Sequence, residues 1–212
     1  MSAAETLQLI AREVQNCKRC PLHVGRTHAV PGEGPPDAKI MFIGEGPGYH
    51  EDRRGRPFVG PAGQFLDELL AMAGMQRSEV FIGNVVKCRP PQNRDPQPDE
   101  ITTCTRAFLF RQIEAIQPRV IVTLGRFSMN LFLPGEKISR IHGQPRKVDG
   151  RLIVPMIHPA AALHQPQNRP LIEADFRRLP QILAEAEREA TPSSATTSPR
   201  DGEPPLEQLS LF

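Results

Sequence analysis

The sequence has no long apolar run. Stretches such as Val120 to Leu124 and Ile153 to Ile157 are far shorter than the roughly 20 residues a membrane span takes, so no partnership with a membrane is expected. The first thirteen residues, MSAAETLQLIARE, have no basic start, no continuous apolar core and no cleavage site. No export signal is read there, and the expected location is the cytoplasm, where four cysteines meet a reducing medium and structural disulfides are disfavoured. A surplus of charge is missing as well: 26 Lys and Arg face 24 Asp and Glu, a net of +2, too little by itself to imply a nucleic-acid partner. What remains is 212 residues with 39% hydrophobic and 24% charged side chains, the composition of one globular domain able to bury a core.

The averages conceal two unlike parts. From Thr191 the chain reads TPSSATTSPRDGEPPLEQLSLF, a composition that buries too little apolar surface to offset ordering entropy and predicts a disordered acidic, proline-rich tail over 191–212. Residues 185–212 carry six acids and two bases, a net of −4, which leaves +6 on the rest of the chain. That basic body, the 1–190 domain, suits an anionic partner better than the bulk figure does.

Short β-branched or apolar runs at Ile40–Ile43, Val80–Val86, Val120–Leu124 and Leu152–Ile157 alternate with helical patterns at Gln64–Ala73, Pro98–Ile116, Arg126–Leu133 and Leu171–Glu189. The spacing predicts an α/β fold, a three-layer αβα arrangement around a mostly parallel four-stranded sheet. Each strand is followed by a distinctive segment: Gly44-Glu45-Gly46-Pro47-Gly48, then Asn84 to Cys88, then Gly125, then His158-Pro159. Ligands in open α/β sheets bind at the carboxyl ends of strands, so these segments are expected to share one cleft.

The GEGPG loop can bring backbone amides close to an anionic ligand or serve only as a tight turn. It is neither a P-loop nor a dinucleotide fingerprint. Phe58, inside a Gly- and Pro-rich loop, is a core anchor or a stacking surface for a planar ligand. Asn84 offers the donor and acceptor needed to read a base edge, or it caps a strand. His158, between a strand and a proline, can stabilise a developing anion. Cys17 and Cys20 form a CxxC pair, and Cys88 and Cys104 complete a set of four. Four thiolates from separate segments suit tetrahedral zinc or an iron–sulfur cluster, and spacing does not decide between them.

Taken together, CKRCPL at Cys17, GEGPGYHEDRRGRPFVGPAGQFLDELL from Gly44, GNVVKCRPPQNRDPQPDE from Gly83, Cys104 and HPAAAL at His158 closely resemble the family 4, iron–sulfur, uracil-DNA glycosylases over Cys17 to Glu185. The resemblance implies hydrolysis of the N-glycosidic bond of deoxyuridine in DNA, leaving an abasic site, by an enzyme that flips the target base into a pocket. It implies a structural [4Fe–4S] cluster on Cys17, Cys20, Cys88 and Cys104. It places Phe58 on the flipped uracil, Asn84 on its polar edge, the Gly46 amide beside it and Glu51 near C5, against the thymine methyl. Glu45 holds the water or offsets the cationic sugar, His158 stabilises the uracil anion near O2, and Leu163 is the wedge that fills the vacated stack.

Two departures accompany the resemblance. The last motif is often His-Pro-Ser and here is His158-Pro159-Ala160, so a hydroxyl that could contact phosphate is missing. Uracil-crosslinking relatives trap DNA through a histidine in a loop ending Arg-Ile-His. Arg140-Ile141-His142 occurs here after the third strand rather than near Cys88, so turnover is expected. The competing class is a metal-stabilised DNA-binding module without catalysis. The final Gln208-Leu209-Ser210-Leu211-Phe212 looks like the bacterial sliding-clamp-binding pentapeptide, which implies recruitment to the polymerase clamp by a tethered ligand. The expectation is a monomer working at the nucleoid.

Overall fold

A computed structural model describes residues 1–190; the Gln208–Phe212 motif lies outside the described residues. In chain order the elements are α1 (Ala3–Gln15), β1 (Ile40–Gly44), α2 (Tyr49–Arg54), α3 (Pro61–Met72), β2 (Phe81–Asn84), α4 (Pro98–Cys104), α5 (Phe110–Ile116), β3 (Val120–Leu124), α6 (Arg126–Asn130), α7 (Ile138–Ile141), β4 (Arg146–Val148), β5 (Arg151–Met156), α8 (Ala160–His164) and α9 (Arg169–Ala190). Among the described residues no helix is long and apolar enough to cross a membrane.

Side chains of the central strands alternate between two cores. Met41, Ile43, Ile121 and Ile153 face one that also holds Ile10, Val14, Phe108 and Ile113 of the helical side. Ile40, Phe42, Ile82, Val122 and Val154 face the other, with Leu66 and Leu69 of α3 and Ile172, Phe176 and Leu179 of α9. Burial on both faces is why these strands read as unbroken apolar runs. The Phe42 and Phe176 rings stack at 5.9 Å and tie sheet to helix.

The sheet has five strands, not the expected four, in the order β2-β1-β3-β5-β4. The first four are parallel, and β4 is antiparallel to β5. The extra strand is Arg-Lys-Val, with both basic residues exposed, an edge strand that charge protects from pairing further. No apolar run marks it, but Asp149-Gly150 does: both residues have positive φ, 47° and 76°, as the two-residue hairpin turn that favours Asp-Gly requires.

The helix expected over Pro98–Ile116 is interrupted. A π turn over Thr105–Leu109 separates α4 from α5 and begins directly after Cys104. Such insertions re-aim side chains and gather at functional sites.

Candidate active site

The strand order reverses between β1 and β3: the chain leaves β1 for β2 on one side and later returns to β3 on the other. A crevice opens at such a switch point, at the carboxyl ends of the strands. The GEGPG loop borders it after β1, and Gly125 does so after β3. Val85 and Val86 N–H donate to the Gly44 and Glu45 carbonyls at 3.0 and 3.1 Å, stitching the loops after β1 and β2 together.

Glycine is demanded here by close approach. A Cβ on Gly44 would stand 2.5 Å from Asn84 Oδ1 and 2.8 Å from the Phe58 ring, and one on Gly46 would stand 2.7 Å from Val86 Cγ2. Gly44 therefore makes the space in which Asn84 and Phe58 meet. Asn84 is buried, and among the described residues no side chain or backbone group hydrogen-bonds its amide, which leaves a donor and an acceptor for a ligand.

Phe58 is buried at φ 48°, a left-handed conformation that is costly for an aromatic residue and persists only where its surroundings enforce it. The Arg77 guanidinium supplies much of that enforcement. It donates to the Phe58 carbonyl at 3.1 Å and the Pro57 carbonyl at 2.5 Å, and is itself held by Glu33 and Asp67. Glu51 braces the other side of the loop, accepting from Val59 and Gly60 N–H at 2.8 and 2.9 Å and from Gly48 N–H at 3.2 Å.

Opposite Phe58, the His158 ring lies 5.6 Å away, inclined by 25°. Gly125 at φ 89° lets the backbone pass close to it, since a Cβ there would sit 3.3 Å from His158 Cβ. Ala160 N–H donates to His158 Nδ1 at 3.1 Å. An N–H aimed at Nδ1 requires its lone pair, so the neutral ring carries its proton on Nε2 and presents a donor. Burial pushes the His158 imidazole down to about 4 from the usual 6.5, partly countered by Glu51. The ring is therefore neutral at physiological pH.

Glu45 is half-buried, and its carboxyl is raised above the ordinary value, chiefly by burial and also by nearby Asp95, while Arg126 opposes the shift. Asp95 and Arg126 form an exposed ion pair beside it, and the Arg126 guanidinium lies over the Phe127 ring at 4.5 Å. Leu163, on α8 just beyond His158, is 49% exposed, uncommon for a large aliphatic on so short a helix. His142 stands apart: its Nδ1 is 2.7 Å from Asp175 Oδ2 on α9.

All four cysteines are free. Cys88 and Cys104 are buried in the α1–α5 core, and Cys17 and Cys20 pack against the same cluster. N–H groups point at three of the sulfurs: Arg26 Nη1 at 3.0 Å from Cys88, Lys87 N at 3.3 Å from Cys104 and Arg19 N at 3.5 Å from Cys17. Burial pushes the Cys104 thiol up to about 12 and also raises Cys20 and Cys88, with neighbouring cysteines adding to each shift. Among the described residues no three or more His, Cys, Asp or Glu side chains stand at metal-holding geometry. The thiols thus sense one another electrostatically without being drawn together.

Arg77, Gly44 and Gly125 carry as much of the site as the motif residues do. The glycines were visible as strand-ending signals. Arg77 was not, because nothing local marks a residue that acts on a loop 19 positions away.

Glycines at the ends of β1 and β3, a buried aromatic ring, an amide without a protein partner and a neutral imidazole thus gather where the strand order reverses. The chain matches the Uracil DNA glycosylase superfamily over residues 31–183. It is 46% identical to the type-4 uracil-DNA glycosylase of Sulfurisphaera tokodaii over 198 residues, 87% of this chain and 88% of that one. It is 46% identical to that of Archaeoglobus fulgidus over 187 residues (84% and 94%) and 47% identical to that of Saccharolobus solfataricus over 192 residues (85% and 88%). The chain belongs to the type-4 uracil-DNA glycosylases.

Proposed function

We propose that the protein removes uracil from DNA by hydrolysing its N-glycosidic bond, and that the flipped base is received at the loops that carry Phe58, Asn84 and His158. The neutral His158 donor, fixed by the Ala160 N–H at 3.1 Å, carries this reading most directly. As the bond from C1′ to N1 breaks, its electron pair passes to the uracil ring, and the Nε2–H is positioned to stabilise the charge growing at O2. Glu45, as a carboxylate, offsets the cationic sugar and holds the water that adds to C1′. The Asn84 amide donates to O4 and accepts from N3–H, a pair that cytosine cannot match because it presents an amine and a bare ring nitrogen there. Gly46 leaves its backbone N–H open to the base. The triply bonded Glu51 carboxylate is a fixed wall against the thymine methyl, and Leu163 fills the gap in the stack.

The four cysteines fit a [4Fe–4S] cluster: they supply four sulfurs from three segments, N–H donors at Cys17, Cys88 and Cys104 that favour thiolates, and, at Cys20, Cys88 and Cys104, thiols that burial keeps from ionising without a cation. Cys17, Cys20, Cys88 and Cys104 would hold the cluster, which would supply a structural tie between the N-terminal segment and the loop after β2. The 208–212 motif recruits the enzyme to the replication clamp; deletion of those five residues that leaves clamp affinity unchanged would remove this part of the proposal.

A duplex with a single uracil, incubated with protein and then treated with alkali, is expected to show strand scission at that position, with none in cytosine or thymine controls. Absence of scission would favour a binding module without turnover. Without alkali no shifted protein–DNA adduct is expected, since His142 is bonded to Asp175 rather than offered to the pocket.

Arg77→Met is expected to lower kcat/KM about tenfold by releasing the Phe58 loop, and to cost about 2 kcal/mol of stability. Single-turnover kinetics and thermal melts read the two effects separately. A stability loss with unchanged kinetics would show that Phe58 holds its geometry unaided.

A further inference from the structure

Lys87 is 1% exposed, one of the largest fully buried side chains in the protein. The two oxygens that accept from its Nζ are both neutral: the Asn84 carbonyl at 3.0 Å and Gln112 Oε1 at 2.7 Å. Gln112 in turn donates to the Pro31 carbonyl at 2.8 Å. The main chain of Lys87 is tied at both ends, its N–H to Cys104 Sγ at 3.3 Å and its carbonyl to Val30 N–H at 2.8 Å. Burial disfavours the ammonium and the nearby Cys104 sulfur favours it; an apolar side chain of similar size would fill the space more cheaply.

We infer that Lys87 is a positioning residue for uracil selection: its ammonium holds the Asn84 carbonyl so that the Asn84 amide meets the base at one fixed height, while its backbone couples that hold to the cysteine-bearing core. The inference rests on Asn84 reading uracil. Asn84 ends β2, and the peptide plane between Asn84 and Val85 is held from both sides: the Val85 N–H donates to the Gly44 carbonyl at 3.0 Å, and the Asn84 carbonyl accepts from Lys87 at 3.0 Å. Because the Asn84 side chain has no hydrogen bond of its own to the protein among the described residues, its aim depends on its backbone. A tilt of a few tenths of an ångström would also press Asn84 Oδ1 toward the space that Gly44 keeps clear.

The test measures equilibrium binding of free uracil and free cytosine to the full-length protein, with melting temperature and visible absorbance recorded for each variant. Asn84→Ala is expected to abolish preference for uracil. Lys87→Met is expected to weaken uracil about tenfold and narrow the uracil-over-cytosine ratio, whereas Gln112→Met, which leaves the Lys87–Asn84 bond in place, stays within about twofold. Adding Lys87→Met to Asn84→Ala is expected to cost nothing further, as for residues acting in series. If Lys87→Met is insoluble, Lys87→Gln enters the same cycle. The inference is overturned if Lys87→Met and Gln112→Met weaken uracil equally, or if the losses multiply in the double variant. If Asn84→Ala leaves uracil preference intact, the assignment of the pocket itself fails.

Discussion

Replacing His158 with alanine is expected to lower kcat by about 10²–10³-fold, equivalent to about 3–4 kcal/mol of transition-state stabilisation, with a much smaller change in KM. The asymmetry follows from where charge develops. Uracil in the intact nucleotide offers O2 as an ordinary carbonyl, and only as the glycosidic bond breaks does that oxygen become anionic. A donor aimed at it therefore acts mostly in the transition state. The pH profile separates this account from one using an imidazolium. With His158 lowered to about 4 by burial, the rate of the chemical step should show no inflection from His158 near the ordinary histidine value of 6.5. The upward shift of Glu45 moves the acid fall in rate to higher pH than an ordinary glutamate would give. An inflection near 6.5 in single-turnover rates would contradict the neutral donor.

The same shift has a thermodynamic signature. Between pH 6.5 and about 4 the unfolded chain binds a proton at His158 that the folded protein does not, so stability at this residue rises with pH across that window and is lost as pH falls through it. His158→Ala should flatten that part of the profile. Melting temperatures of wild type and variant at pH 5 and pH 7 supply the comparison.

The second large effect is expected at the cysteines. If the four cysteines hold the proposed cluster, Cys104→Ser should remove its visible absorbance and lower the melting temperature by about 10 °C or more. Cys104 lies at the joint between α4 and the π turn, accepts from Lys87 N–H and belongs to the core that α1 and α5 share. Loss of the proposed cluster would leave the buried Cys88 sulfur and its Arg26 donor without their common partner, and would unfasten the N-terminal segment carrying Cys17 and Cys20. A colourless wild-type protein containing zinc would replace the cluster with a tetrahedral metal, and an unchanged melting temperature would remove the structural role altogether.

The four parallel strands could be read from their apolar runs because burial on both faces leaves no room for polar alternation. The same rule hid β4: an edge strand faces solvent and carries Arg146 and Lys147, so only its Asp149-Gly150 turn betrays it. The single helix expected over Pro98–Ile116 had the right periodicity, but one extra residue in a π turn does not break an apolar pattern enough to be seen. It is the contact of Cys104 with the Lys87 backbone that places it. Phe58 was marked by its Gly- and Pro-rich loop and Asn84 and His158 by their places at strand ends, and the fold brings Phe58 close to both.

What the sequence determined by itself was the layered α/β fold, the location of the crevice and the chemical kinds of group that border it, since all of these follow from local pattern and strand order. Tertiary structure alone decided which state each group is in. The neutral state of His158 comes from burial by parts of the fold distant in sequence, while the Ala160 amide, local in the chain, fixes which nitrogen keeps the proton. The left-handed Phe58 is held by Arg77, and the aim of Asn84 by Lys87. Such properties arise from long-range hydrogen bonds and desolvation, which depend on what surrounds a residue in space and leave no periodic trace along the chain.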